Sequence, residues 1–232
     1  MSAAGTRARV RAELTREIAE VARKHLASDG AAALSLRAVA REMGMASSAV
    51  YRYFPSRDDL LTALIVDAYD AIGAAAEDAE AAEPRDHLRA RWQAACRAAR
   101  AWAVAHPHEY ALVYGSPVPG YVAPETTIGP AGRVGLLFSR IIADAIAAGA
   151  VDPESEPTGA DAALTSDITA TMGLGERSAS SSLAARGIFA WSAVFGMINF
   201  ELFGHTNNIV ADDERFFLDA TDRLAGMLGL PA

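Results

Sequence analysis

Alanine fills 52 of the 232 positions. It loses the least conformational freedom on entering a helix, so this excess favours a mostly helical chain and works against long strands. The apolar pattern agrees. Leu14, Ile18, Val21, Ala22 and Leu26 recur at helical spacing until Asp29-Gly30 stops them. Ser35 stands where it can cap a short second helix carrying Leu36, Val39, Ala40 and Met43, which Gly44 ends. A third short segment runs from Ser47 to Phe54 and stops at Pro55, and Arg57-Asp58-Asp59 opens a longer fourth helix with Leu61, Leu64, Ile65, Ala68 and Ile72 inward.

The remainder also reads as helix. Leu88, Trp92, Ala95, Ala99, Trp102 and His106 share one face, and Pro107 ends that helix. Gly115 to Pro124, with three prolines and two glycines, is a loop. Val134, Leu136, Leu137, Phe138, Ile141 and Ile146 predict a further helix ending near Gly149. Asp152 to Gly159 reads as a polar linker and Gly173 to Ser182 as a mobile stretch. A later helix carries two apolar stripes: Ile188, Trp191, Phe195, Ile198 and Leu202, and beside them Phe189, Ala193, Gly196, Phe200 and Phe203. Two stripes need two partner surfaces. A central core helix meets that need, and so does a homodimer interface that also takes in Phe217, Leu224 and Leu228 of the last segment.

Charge separates along the chain. The total is −8, but residues 1–57 hold ten Arg/Lys against five Asp/Glu, leaving +5 there and −13 in the rest. A basic head on an acidic body is the arrangement to be explained. One cysteine, Cys96, excludes an internal disulfide and a cysteine-based zinc site. The longest uncharged apolar stretch, Gly187 to Phe200, falls short of the roughly 20 residues of a bilayer span, and the first residues lack the apolar core of a signal peptide. The expectation is a cytoplasmic protein with no membrane partner. His106, His108 and Glu109 do not make a metal site, because Pro107 breaks the helix between them. No catalytic residues, metal or cofactor are expected, since no Ser-His-Asp spacing, phosphate loop or paired-carboxylate motif stands out.

From Leu36 to Phe54 the chain reads LRAVAREMGMASSAVYRYF, two short helices joined at Gly44. Ala40 is small enough for the second helix to approach the first, Gly44 can take the positive φ of the turn, and Val50 fills the angle between them: the demands of a helix-turn-helix. Residues Ile18 to Leu61 resemble the DNA-binding region of the TetR family of bacterial regulators. The resemblance rests on Ile18, Ala22, Leu26 and Gly30, on Ser35-Leu36-Arg37-Ala38-Val39-Ala40, on Gly44-Met45, and most specifically on Tyr51-Arg52-Tyr53-Phe54-Pro55-Ser56-Arg57. The family usually has Ser or Thr two residues after the turn glycine as a helix cap. Here that residue is Ala46, with Ser47 as the alternative cap, one residue later.

The resemblance implies an all-α protein: an amino-terminal three-helix bundle with a helix-turn-helix over 1–57, then a larger helical ligand-binding and dimerisation domain over 58–232. It implies a homodimeric regulator, most often a repressor, that binds a palindromic operator in double-stranded DNA and is released by a small-molecule effector. Ser47, Ser48, Ala49 and Tyr51 would face the major groove, and Arg37, Tyr53 and Arg57 would lie near phosphates. Arg52 is the one residue there able to grip a guanine edge, and the family pattern more often turns that position away from the bases. Arg7, Arg9 and Arg11 form a basic arm that could enter a minor groove or stay disordered. The later segments are similar to a subgroup with a Trp, His-Gly signature, in which Phe195 stands in place of the His.

In the body, Trp92, Trp102, Tyr110, Tyr114, Phe138, Met172 and Asn199 are candidate effector contacts, each with the plainer alternative of a core residue. Ala95 and Ala99 leave room for a cavity, and no buried charge cluster is evident, which points to a lipophilic effector. The rival reading is a helical small-molecule-binding protein or enzyme whose helix-turn-helix is structural only. It predicts a neutral or acidic surface around residues 47–53, against which the +5 head argues.

Overall fold

A computed structural model describes residues 3–152, 164 and 181–231, with no strand among them. The helices are α1 (Ala3–Asp29), α2 (Leu36–Glu42), α3 (Ser47–Val50), α4 (Arg57–Ala81), α5 (Leu88–Ala105), α6 (Pro107–Tyr114), α7 (Ile128–Ala147), α8 (Ser181–Leu202) and α9 (Asp213–Met227), with single 3-10 turns at Ala31–Ala33 and Glu125–Thr127. Most of the linker 152–159 and of the stretch 173–182 lies outside the described residues.

The chain gathers into two compact units that divide it differently from a cut at residue 57. The first holds the chain up to Tyr69 together with His106–Ile128; the second holds Asp70–Ala105 and the chain from Gly129 onward. Helix α4 runs unbroken through the change at Tyr69. Its first half belongs to the amino-terminal unit because Leu60, Leu61 and Leu64 are buried with Ile18, Ala22, Leu36, Val39, Val50 and Phe54. Leu112, Val118 and Tyr121 pack against the same cluster, Tyr69 Oη donates to the Val113 carbonyl at 3.1 Å, and the Thr62 and Tyr121 hydroxyls meet at 2.9 Å. Pro107 makes this return possible. It ends α5 as expected, but it also occupies the first turn of α6, where its missing N–H costs nothing.

The second unit is built on α5, with α9 packed on both α5 and α8. Trp92 is fully buried; its Nε1 donates to the Thr221 carbonyl at 2.9 Å, and its ring lies 4.5 Å from Phe138. Cys96, also on α5, is buried, and burial pushes its thiol well above the ordinary range, so it packs as a small apolar group. By length and composition Leu183–Leu202 of α8 could cross a membrane, yet it buries Leu183, Ala184, Ala190, Val194, Phe195 and Ile198 within the unit. Its Glu201 accepts paired bonds from Arg100 at 2.7 and 2.6 Å, as suits a core helix.

Buried charge, which the sequence did not suggest, is present and paired. Arg91 on α5 is fully buried; it donates to Glu80 at 2.6 Å, to the Arg85 carbonyl at 2.9 Å and to Asp144 at 2.6 Å, while Arg85 reaches the same two carboxylates at 2.7 Å each. On α7, Arg133 lies across Gly73 of α4, where a Cβ would come within 2.9 Å of its Cβ and Nε. There it donates to Asp70 Oδ1 at 2.8 Å and Glu77 Oε2 at 2.5 Å, and this bonding holds the Glu77 carboxyl below its usual range.

Removing Arg91 takes away the charge-assisted bonds of the buried Glu80 and leaves Arg85 as its remaining cation. Arg91→Ala is therefore expected to lower the unfolding free energy by about 1.5–3 kcal/mol, read from urea denaturation. A loss under about 1 kcal/mol would place the Arg91 network with ordinary surface pairs.

Candidate nucleic-acid interface

Helix α2 begins after Ser35, which stands at the N-cap without a side-chain capping bond. It ends at a turn in which Gly44 takes φ +65°, a region that side chains with a Cβ rarely adopt. A Cβ at Gly44 would have no atom within 4 Å, so conformation rather than space demands glycine. The Met45 N–H closes the turn on the Ala40 carbonyl at 2.9 Å. Ala46 is the N-cap of α3 and supplies no side-chain acceptor; Ser47 does not replace it but begins the helix. Helix α3 is only Ser47–Val50, shorter than the segment read from sequence, and the chain turns on through Tyr51 to Phe54, whose N–H bonds the Val50 carbonyl at 3.1 Å. One helical turn has no stability of its own. Val50 and Phe54, both buried among Val39, Ala40 and Leu61, hold it in place.

That anchoring fixes what faces outward. Arg37, Ser48, Tyr51 and Arg52 are exposed, with Tyr51 at 41 %, while Ser47, Ala49 and Tyr53 are half-buried. Arg57 has a further engagement. Its guanidinium donates to the carbonyls of Ala31 at 2.9 Å, Leu34 at 3.2 Å and Ala32 at 3.3 Å, tying the start of α4 to the segment that leads into α2. Three contacts are not foreseeable in the sequence. Arg23 on α1 joins Asp67 of α4 at 2.6 Å and Glu109 of α6 at 3.3 Å, and His25 meets Glu42 at the end of α2 at 2.8 Å. Their partners are 17 or more residues away, and nothing in the spacing reveals them. The basic arm expected at the amino terminus is not an arm: Arg7, Arg9 and Arg11 are exposed residues of α1.

The candidate effector contacts fall in both units. Tyr110 and Tyr114, one turn apart on α6, stack at 5.0 Å in the first unit, with Tyr69 edge-on to Tyr114 at 5.8 Å; burial raises the pKa of all three hydroxyls. Trp92, half-buried Trp102, Phe138 and Asn199 are in the second unit. Asn199 Oδ1 is buried without a hydrogen-bond partner. Phe138 borders a cavity of about 190 Å³ with Gly132, Gly135, Leu136, Ile188 and Trp191. Met172 lies outside the described residues.

Of the interface residues expected on the last two helices, Phe189 and Phe200 are 59 % and 58 % exposed. Ala193 and Gly196 are half-buried along a groove of about 1040 Å³. Phe217, Leu224 and Leu228 are a correction: all three are buried within the chain itself. With Thr221 and Ala225 they form the stripe by which α9 packs inward, and the Thr221 hydroxyl donates to Gln93 of α5 at 2.9 Å. Helical spacing shows that these residues share a face but not which surface covers it. The outward aromatic of α9 is Phe216, one residue earlier.

Two family models match this chain. Residues 18–64 match the family model described as bacterial regulatory proteins, tetR family, and residues 92–224 match the tetracyclin repressor-like C-terminal domain. The chain belongs to the TetR family. This TetR-family chain is 39 % identical over 229 residues to the HTH-type transcriptional regulator Rv1816 of Mycobacterium tuberculosis, covering 95 % of this chain and 94 % of that one. Among solved structures it is similar to SCO4313 (33 % identity, TM-score 0.77, covering 94 % and 98 % of the two chains). It is also similar to a protein of unknown function from Rhodococcus sp. RHA1 (28 %, TM-score 0.70, 93 % and 95 %). It is thus a transcriptional regulator with a helix-turn-helix DNA-binding domain, not an enzyme.

The Arg57 bonds set a test of their own. Charge-assisted bonds to carbonyls contribute more than neutral ones, but this side chain is partly solvated. Arg57→Ala is expected to cost about 1–2 kcal/mol in urea unfolding, whereas Tyr51→Ala on the open face costs less than about 0.5 kcal/mol. Equal losses would show that Arg57 does not tie α4 to the preceding segment.

Proposed function

We propose that this TetR-family regulator is a homodimeric, cytoplasmic repressor that binds a palindromic operator and is released by a small, lipophilic effector. The observation that carries the reading is the outward face of the helix-turn-helix. Arg37, Ser48, Tyr51 and Arg52 stand exposed on a segment whose opposite side is locked by Val50 and Phe54. Short side chains at 47–49 let the helix sit deep in a major groove, Tyr51 and Arg52 reach base edges, and Arg37 and Tyr53 lie toward phosphates. Arg57 is a supporting residue in this scheme, since its donors are turned to carbonyls.

Dimerisation has support in the exposed apolar residues of the second unit. Phe189, Phe200, Phe203, Ile209 and Phe216 are all open to solvent, and Phe200, Ile209 and Phe216 line one groove, as clustered apolar residues at an interaction surface do. Two recognition helices about 34–36 Å apart would then meet successive major grooves. The cavity beside Phe138 and Trp191 is apolar and small, which suits a compact lipophilic effector. An effector acts only through its different affinity for the DNA-competent and DNA-incompetent arrangements.

Selection of bound duplexes from a random pool tests the reading. It is expected to return an inverted repeat bound with an affinity that falls steeply with salt. Tyr51→Ala should lower affinity for that sequence about tenfold or more without changing stability. Phe200→Glu with Phe189→Glu should give a monomer in sedimentation and weaken operator binding further. A pool without enrichment, or a tight binder unmoved by Tyr51→Ala, would contradict the assignment.

A further inference from the structure

The first turns of α1 meet the end of the recognition segment. Arg11 donates from Nη2 to the Arg52 carbonyl at 3.1 Å, and its guanidinium carbon lies 5.2 Å from the centre of the Tyr53 ring, over its face. Both partners belong to the turn that follows α3. The Arg52 carbonyl lies beyond the last α3 hydrogen bond, where carbonyls lack intrahelical partners, and the cation supplies a donor. The Tyr53 face is an electron-rich surface that attracts the same cation. Arg7 lies one turn before Arg11, and Thr6, Arg7, Val10, Arg11 and Tyr53 together line a shallow groove of about 360 Å³. No acidic residue precedes Glu13, so the first turns of α1 bring only positive charge to this edge of the head.

We propose that this groove is a phosphate subsite, in which Arg7 and Arg11 each neutralise one backbone phosphate of bound DNA beside the recognition segment. Arg11 has a second task there as a positioning residue, holding Tyr53 and the Arg52 carbonyl in register. Helical geometry makes the inference specific. Residues four apart share a face, so Arg7 and Arg11 point toward Tyr53 while Arg9, two residues from each, points elsewhere. An extended arm lying in a minor groove would use all three arginines alike. The subsite rests on the DNA-binding reading above and adds to it a contact outside the helix-turn-helix.

The test uses the full chain and a fluorescent duplex of mixed sequence, roughly 30 base pairs long so that two half-sites one turn apart fit, titrated over a range of salt. Removing one phosphate contact lowers the slope of log affinity against log salt by about 0.9. Arg7→Ala is expected to reduce the slope by about one per subunit and to weaken low-salt binding several-fold, while Arg9→Ala leaves the slope near that of the unaltered chain. Arg11→Lys is expected to keep the slope yet lose discrimination between the selected operator and the mixed duplex, because lysine keeps the charge but not the planar fork over Tyr53. Arg7 is exposed on α1, so its variant reports on DNA even if Arg11→Lys unfolds the head. Equal effects of Arg7→Ala and Arg9→Ala would overturn the subsite in favour of an extended arm. Unchanged slopes for both, in a chain that binds DNA, would overturn it outright. If the unaltered chain shows no salt-sensitive binding, the DNA reading itself fails and the subsite with it.

Discussion

The recognition segment has no stability apart from what it packs against. Helix α3 is a single turn without a side-chain cap, so its position is set from outside by the burial of Val50 and Phe54. Each such side chain contributes about 1.5–3 kcal/mol when fully buried. Much else in the amino-terminal unit follows from this. Ala40 is small because Val50 must come close, and Gly44 is glycine because the turn needs φ +65°. The first half of α4 and the chain from α6 to Tyr121 join the unit to complete the cluster around that one turn.

Arginine divides the labour. Arg91, Arg100 and Arg133 in the second unit face carboxylates within it, and in the first unit Arg23 and Arg57 are likewise drawn into internal contacts. Arg37, Arg41 and Arg52 around the helix-turn-helix are exposed, as are Arg16 and Lys24 further along α1. Three of the ten basic groups of the head thus stand open around the recognition turn. The acidic remainder discourages indiscriminate attraction of DNA elsewhere on the chain.

Helix positions and the turn at Gly44 are legible in the sequence because periodicity and turn chemistry are local. Pro107 reads as a stop and proves also to be a start, since the same missing N–H serves both. What is not legible is pairing at a distance. Arg91 looks like one more charge on α5, and only the fold brings Glu80 and Asp144 to it. Phe217, Leu224 and Leu228 do share one face, but the cover expected for them is wrong, because a spacing rule cannot distinguish a subunit's core from a partner's surface. The α1 contact with Tyr53 is hidden for a related reason: the arginine-rich start resembles a disordered arm until its helix is seen.

The central claim is that the face of residues 36–57 opposite Val50 is the surface that DNA meets. Hydrogen exchange of the full chain, with and without the selected duplex, tests it directly. Exchange is expected to slow over residues 36–57 and the first turns of α1, with little change in α7 and α9. Slowing confined to α7 or α9, with residues 36–57 unchanged, would contradict it.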